Sequence, residues 1–196
     1  VNISFMIVIQ LVIAGLLVGI TIFLGISGYG FIPLFAVNAT ILHIPTIIVA
    51  MAAGPKVGAM TGFFFGMFSF IQAFRSPAVM MQFASSYNPL YTLIICVVPR
   101  VAIGWIAWKL FRILPGKLAV RAGGAAVITT FLHTVMFLSL FYLLVGVPFA
   151  QHQGVSPMAV AEMLAGIAGA NGIPEAIVAG VITAPILSAL YRIGNR

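Results

Sequence analysis

Polar residues break this chain only at intervals, and the apolar stretches between them are as long as a membrane is thick. Residues 3–24 are apolar apart from Ser4, Gln10 and Thr21. About 20 such residues in a helix cross a bilayer. Gly25-Ile26-Ser27-Gly28-Tyr29-Gly30-Phe31-Ile32-Pro33 then ends the first helix in a loop. A short second helix is expected over 40–53, with Asn38 and His43 at its start and Asn38 or Thr40 as candidate caps. A third, 56–74, follows the break Gly54-Pro55 and ends near Gln72 and Arg75. Residues 76–89, with two prolines, Tyr87 and Asn88, read as a loop. Helices are expected over 90–113 and 118–146, then a polar loop at 147–157 holding Gln151, His152 and Gln153. Residues 158–169 suit a short helix with Glu162. Asn171-Gly172-Ile173-Pro174-Glu175 opens a last helix, 172–192, with Pro174 in the first turn, where proline is tolerated. The pattern therefore predicts one domain, residues 1–196, an all-α membrane protein with six transmembrane helices.

Two helices carry glycine at spacing four. In the third, Gly58, Gly62 and Gly66 leave one face without side chains, and a neighbouring backbone can approach it. In the first, Gly15 and Gly19 form a shorter stripe, for packing within the bundle or for docking another membrane protein.

Composition strengthens the membrane reading. The 196 residues are 63% hydrophobic and 6% charged, with mean hydropathy +1.24. A soluble domain carries about 25% charged residues. The net charge of +7 is a topology signal in such a chain rather than a nucleic-acid footprint, and no basic run with interleaved aromatics accompanies it. Lys109, Arg112, Lys117 and Arg121 crowd the turn between the fourth and fifth helices and place it in the cytoplasm. Lys56, Arg192 and Arg196 fall on the same side, so both termini are expected to be cytoplasmic. Arg75 and Arg100 are the exceptions. The first helix, without a basic leader or cleavage site, is expected to be retained. The lone Cys96 has no partner for an intrachain disulfide.

This topology puts the remaining polar groups in the outer half: Arg100, His133, Glu175, Asn171, Gln72, Asn38, His43, Tyr87 and Asn88. An ionisable group within a span costs about 3 kcal/mol or more, and so is usually paired or functional. A polar cavity open to the outside is expected. Arg100 and Glu175 could pair with each other, meet a ligand, or both. His133 could be a neutral imidazole bonded to a neighbouring helix, and Gln72 and Asn38 could serve only helix ends. No phosphate-binding Gly-x-x-x-x-Gly-Lys-[Ser/Thr] loop, carboxylate ladder, inverted repeat, His-Glu-x-x-His or Cys/His cluster is present. The chain is thus expected to be no enzyme, to hold no metal or cofactor, and to capture a substrate for other subunits.

Several stretches resemble one family: His43-Ile44-Pro45; Gly54-Pro55-Lys56-x-Gly58 with Gly62, Phe65-Gly66 and Ser69; Val98-Pro99-Arg100 with Gly104; and Asn171-Gly172-Ile173-Pro174-Glu175-Ala176. Together they resemble the substrate-binding S components of energy-coupling factor (ECF) vitamin transporters, nearest the pantothenate-type and hydroxymethylpyrimidine/pyridoxine-type branches. The resemblance implies a six-helix domain in a bacterial cell membrane that takes a water-soluble vitamin from outside. It implies a transmembrane coupling subunit (EcfT) docked on the Gly15/Gly19 face and two ATPase subunits (EcfA and EcfA′) that use ATP and Mg, with toppling in the lipid to release cargo. Arg100 would meet an anionic or polar group of the vitamin, and loops 1–2 and 3–4 would lid the pocket. Arg100 suits a carboxylate, whereas His133 suits a heteroaromatic ring.

Two other classes stay open. Gly25-Ile26-Ser27-Gly28 resembles the nucleophile motif of rhomboid-type intramembrane proteases, with His133 as the base, although Gly-Tyr-Gly and Pro33 cannot continue the helix such a serine begins. A self-sufficient small channel or facilitator is the other.

Overall fold

The computed structural model describes the backbone of residues 3–34 and 37–194 and the side chains of residues 12, 14–30 and 40–192. Helices α1 (Ile3–Ser27), α2 (His43–Ala53), α3 (Pro55–Arg75), α4 (Val79–Tyr87) and α5 (Pro89–Ile113) come first. Helices α6 (Leu118–Phe141), α7 (Val147–Gln153), α8 (Pro157–Ile167) and α9 (Ile173–Gly194) complete the fold. Four helical segments are long and apolar enough to cross a membrane: Pro55–Arg75, Pro89–Ile113, Leu118–Gln153 and Pro157–Arg192. Ala14–Ser27 and His43–Ala53 are shorter apolar helices. Large apolar side chains such as Leu16, Phe23, Leu143 and Val181 are more than 60% exposed. Such a surface suits lipid, and the protein is a multi-pass membrane protein.

Three expected loops are ordered differently. After α1 the chain makes a hairpin, β1 (Phe31–Leu34) antiparallel to β2 (Val37–Thr40), with Pro33 opposite Asn38. The 76–89 stretch contains α4, which fits between Pro77 and Pro89 and buries Met80, Met81 and Ala84 on one face. The expected polar loop 147–157 and the separate helix 158–169 are also replaced. Helix α6 runs into α7 through a π-helical turn, Tyr142–Gly146, and α8 runs into α9 through another, Ala168–Gly172. Each π turn ends on a glycine and is followed by a proline two residues on: Gly146-Val147-Pro148 and Gly172-Ile173-Pro174. Proline has no N–H to give and crowds the carbonyl four residues back, and a wider turn relieves both. The prolines therefore sit inside long helices. Each run has 36 residues, or about 54 Å of helix, well beyond a hydrocarbon core of about 30 Å. Only a short turn near Gly154, with positive φ, separates them.

The glycine stripe of α3 packs against α5. A Cβ placed on Gly62 would strike the carbonyl oxygen of Arg100, one on Gly66 would lie 2.8 Å from Val97 Cα, and one on Gly104 would lie 2.8 Å from Ala59 Cα. Backbones touch there, so the depth and rotation of α5 are set by α3. Two large apolar cores result, beside a small cluster of Leu42, Phe65 and Ile103. One, with Ala14, Ile47, Ala107, Ala125 and Leu187, fills the pole near Pro115; the other, with Met80, Ile95, Phe141, Phe149 and Leu164, fills the pole near α4.

Candidate functional site

Between the two cores lies a buried polar cluster. Its pivot is Arg100, 4% exposed in the middle of α5. The preceding Pro99 has no N–H, so the carbonyl of Ile95 loses its helical donor. Arg100 Nη1 donates to that carbonyl at 2.9 Å. The proline thus creates the acceptor that fixes the guanidinium. Aromatic faces flank it, with Arg100 Cζ 4.6 Å from the Phe137 ring centre and 5.3 Å from that of Phe65. These contacts favour a cation over the ring quadrupole.

Two histidines complete the cluster. His43, first residue of α2, and His133, on α6, are 1% and 3% exposed. Their rings are nearly parallel, with centroids 6.2 Å apart and 21° between planes. Phe65 lies 5.9 Å from His133. All four imidazole nitrogens and Arg100 Nε are buried without a hydrogen-bond partner. Burying a polar group unpaired costs about 1–3 kcal/mol in proteins, and buried groups are ordinarily paired. Five such atoms on three adjoining residues make a surface shaped for hydrogen bonding to something polar and small.

The Arg100–Glu175 ion pair, one of the roles open to these two residues, is not formed. Glu175 Oε1 instead accepts from the backbone N–H of Thr40 at 3.2 Å, tying α9 to the end of the hairpin. Glu175 is also not at a helix end, because α8 and α9 form one run. Among the described residues no carboxylate lies within ion-pair distance of Arg100.

Other expected site residues serve elsewhere. Asn88 caps α5, its Oδ1 accepting from Leu90 N at 2.9 Å and Tyr91 N at 3.3 Å. Tyr87 is half exposed and stacks on Phe83 at 5.7 Å. Gln72 is partly buried near the end of α3. Asn171 lies in the second π turn, partly exposed, rather than at the start of a helix. Asn38 is in β2 rather than at the start of a helix, and its side chain lies outside the described residues. The cluster does not open to the surface as expected, since Arg100, His43 and His133 are all buried. Phe65 and Phe137, the walls of the site, were not distinguishable from other core aromatics by spacing.

The protease arrangement is not assembled. Ser27 is exposed and its hydroxyl donates to Leu24 O at 3.4 Å, whereas His133 is buried with both nitrogens unbonded. Among the described residues no three His, Cys, Asp or Glu side chains converge as a metal site. Gly15 and Gly19 face open space, with no atom within 4 Å of a Cβ built on either.

Comparison with known proteins agrees with this geometry. Residues 9–187 match the model of the family described as ECF transporter, substrate-specific component. A search of curated proteins found the pantothenic acid transporter PanT of Lactococcus lactis subsp. cremoris (strain MG1363), 27% identical over 169 residues, 82% of each chain. With the family model covering nearly the whole chain, the protein belongs to the substrate-specific components of ECF transporters, the subunits that bind the vitamin for uptake.

Proposed function

We propose that this subunit captures pantothenate from outside a bacterial cell and delivers it to an ECF energising module. The observation that carries the reading is Arg100. It is a buried guanidinium with no carboxylate partner among the described residues, held by Ile95 O and flanked by two unpartnered imidazoles. A ligand carboxylate would supply the missing charge, and charge-assisted hydrogen bonds are the strong ones. The amide of pantothenate would use the imidazoles. The likeness to a pantothenic acid transporter supports the same choice. A flat ring of the hydroxymethylpyrimidine or pyridoxine type is the second reading, favoured by the near-parallel His43 and His133 rings. Titration calorimetry of the purified chain with pantothenate, pyridoxine and hydroxymethylpyrimidine decides between them.

The wider reading is a six-span subunit: α1, α2, α3, α5, the α6–α7 run and the α8–α9 run cross the membrane. Both termini are cytoplasmic, as the bases at Lys56, Lys109, Arg112, Lys117, Arg121 and Arg192 favour. The α4 pole then faces outside, and the hairpin and α4 lid the pocket. The chain is no enzyme. Its coupling subunit docks on the open Gly15/Gly19 face, and two partner ATPases use ATP and Mg to drive toppling and release. Cysteine-accessibility labelling at Lys117 and Gln153 tests the orientation, since the two must label from opposite sides.

A further inference from the structure

Most buried threonines here satisfy their own hydroxyls. Thr21, Thr46, Thr61, Thr92 and Thr134 each donate to the carbonyl four residues back. This is the usual refuge for a hydroxyl in an apolar helix. Thr129 and Thr130, adjacent on α6 and both 0% exposed, do not; their Oγ1 atoms are buried with no partner. They lie four and three residues before His133, so His133 sits over the turn they form. Side chains on a helix lean toward its N-terminus, so the imidazole lies on the side of the turn that carries the two threonines. The unpartnered polar groups therefore continue along α6 from the level of the imidazoles to Thr129 and Thr130. A third unpartnered hydroxyl, Thr183, is apart from it. Gly180 packs on Val127 and Gly123 on Ala184, so Thr183 lies abreast of Gly123 and Gly124, deeper toward the Pro115 pole.

We infer that Thr129 and Thr130 are the specificity residues for the hydroxyl-bearing end of the ligand, whose carboxylate lies at Arg100. The site reads an acyclic acid with hydroxyls remote from the carboxylate. This orientation rests on the pantothenate reading. Each threonine hydroxyl both donates and accepts, as does each ligand hydroxyl, so the pairing needs no proton change. A ligand bound the other way round would place its carboxylate on groups with one donor each and leave Arg100 facing hydroxyls.

The test is calorimetry on the full chain in detergent with three ligands. These are pantothenate, pantothenol (the carboxylate replaced by an alcohol) and N-(3,3-dimethylbutanoyl)-β-alanine, which keeps the carboxylate and lacks both hydroxyls. Thr129→Val and Thr130→Val should each weaken pantothenate by roughly 2- to 12-fold, the range of one neutral hydrogen bond. They should leave the dihydroxyl-free analogue unchanged. Arg100→Met should weaken both acids and spare pantothenol. The ligand-free melting temperature of the valine variants should hold or rise, because no hydrogen bond is broken. If a valine variant does not fold, Thr→Ala and Thr→Ser at that position replace it, and the serine must restore what the alanine loses. Equal loss for pantothenate and the dihydroxyl-free analogue, or no loss for either, overturns the orientation while the pantothenate reading stands. Absence of pantothenate binding by the unmodified chain overturns both.

Discussion

Gly62→Ala is the sharpest probe of how the fold holds the site. The added methyl would sit 2.7 Å from the Arg100 carbonyl carbon, where ordinary contact begins at 3.4 Å. The obstacle is backbone, so no rotamer change relieves it. Helices α3 and α5 must part by 0.7 Å or more at that level. Overpacking of this kind costs about 1–3 kcal/mol. Alanine also has a better helix propensity than glycine, by about 1 kcal/mol, which would mask part of the loss. Gly19→Ala is the internal control: it carries the same propensity change, but nothing lies within 4 Å of its new methyl. The two variants should therefore differ by the steric term alone. At about 2–4 °C per kcal/mol for a chain of this size, Gly62→Ala should melt roughly 2–12 °C below Gly19→Ala in detergent. The shift also moves Arg100 relative to Phe65, whose ring lies 5.3 Å from the guanidinium carbon. Pantothenate affinity should fall in Gly62→Ala and hold in Gly19→Ala. Equal melting temperatures and equal affinities would refute the claim that this glycine sets the position of α5.

Other outcomes follow from the same contacts. Pro99→Ala returns a backbone donor to Ile95 O and competes with Arg100 for it. Calorimetry should show severalfold weaker pantothenate binding, little change for pantothenol, and a melting temperature held or raised; a loss common to both ligands would mean that the proline acts only on helix shape. Asn88→Ala removes the acceptor for Leu90 N and Tyr91 N and should cost about 1 kcal/mol of stability, as helix N-caps do, with ligand affinity unchanged; a selective loss of affinity would return Asn88 to the site. Gly15→Leu with Gly19→Leu should leave vitamin binding intact and abolish uptake in cells expressing the energising module. Undiminished uptake would remove this face as the docking surface.

How much was legible depends on what each residue's signal is. The α3 stripe was visible because glycine at spacing four has one physical use in lipid, though the identity of its partner, α5, needed three dimensions. Arg100, His133 and His43 stood out because titratable groups in spans are costly, and they do come together. Glu175 was legible as costly but not as a hairpin tie, since its partner is a backbone N–H 135 residues away. Gln151, His152 and Gln153 read as a loop and Pro174 as the first turn of a new helix, whereas the π turns carry both helices through. The two prolines of 76–89 hid α4, because its nine residues between them read as a loop. Asn88 and Asn171 looked like site residues because polar groups in outer loops look alike until their bonds are seen. Thr129 and Thr130 were invisible, since a threonine in a membrane helix ordinarily bonds its own backbone, and only the structure shows that these two do not.

A buried guanidinium, held by a carbonyl that Pro99 frees, is proposed to bind the carboxylate of a vitamin. Calorimetry of pantothenate and pantothenol against the purified chain and its Arg100→Met variant is the decisive experiment. One saturable pantothenate site is expected, about tenfold or more weaker in the variant, the scale of a charge-assisted hydrogen bond, with pantothenol binding weakly and equally to both. No pantothenate binding, or a variant that binds it as tightly as the unmodified chain, would mean that Arg100 does not hold the carboxylate.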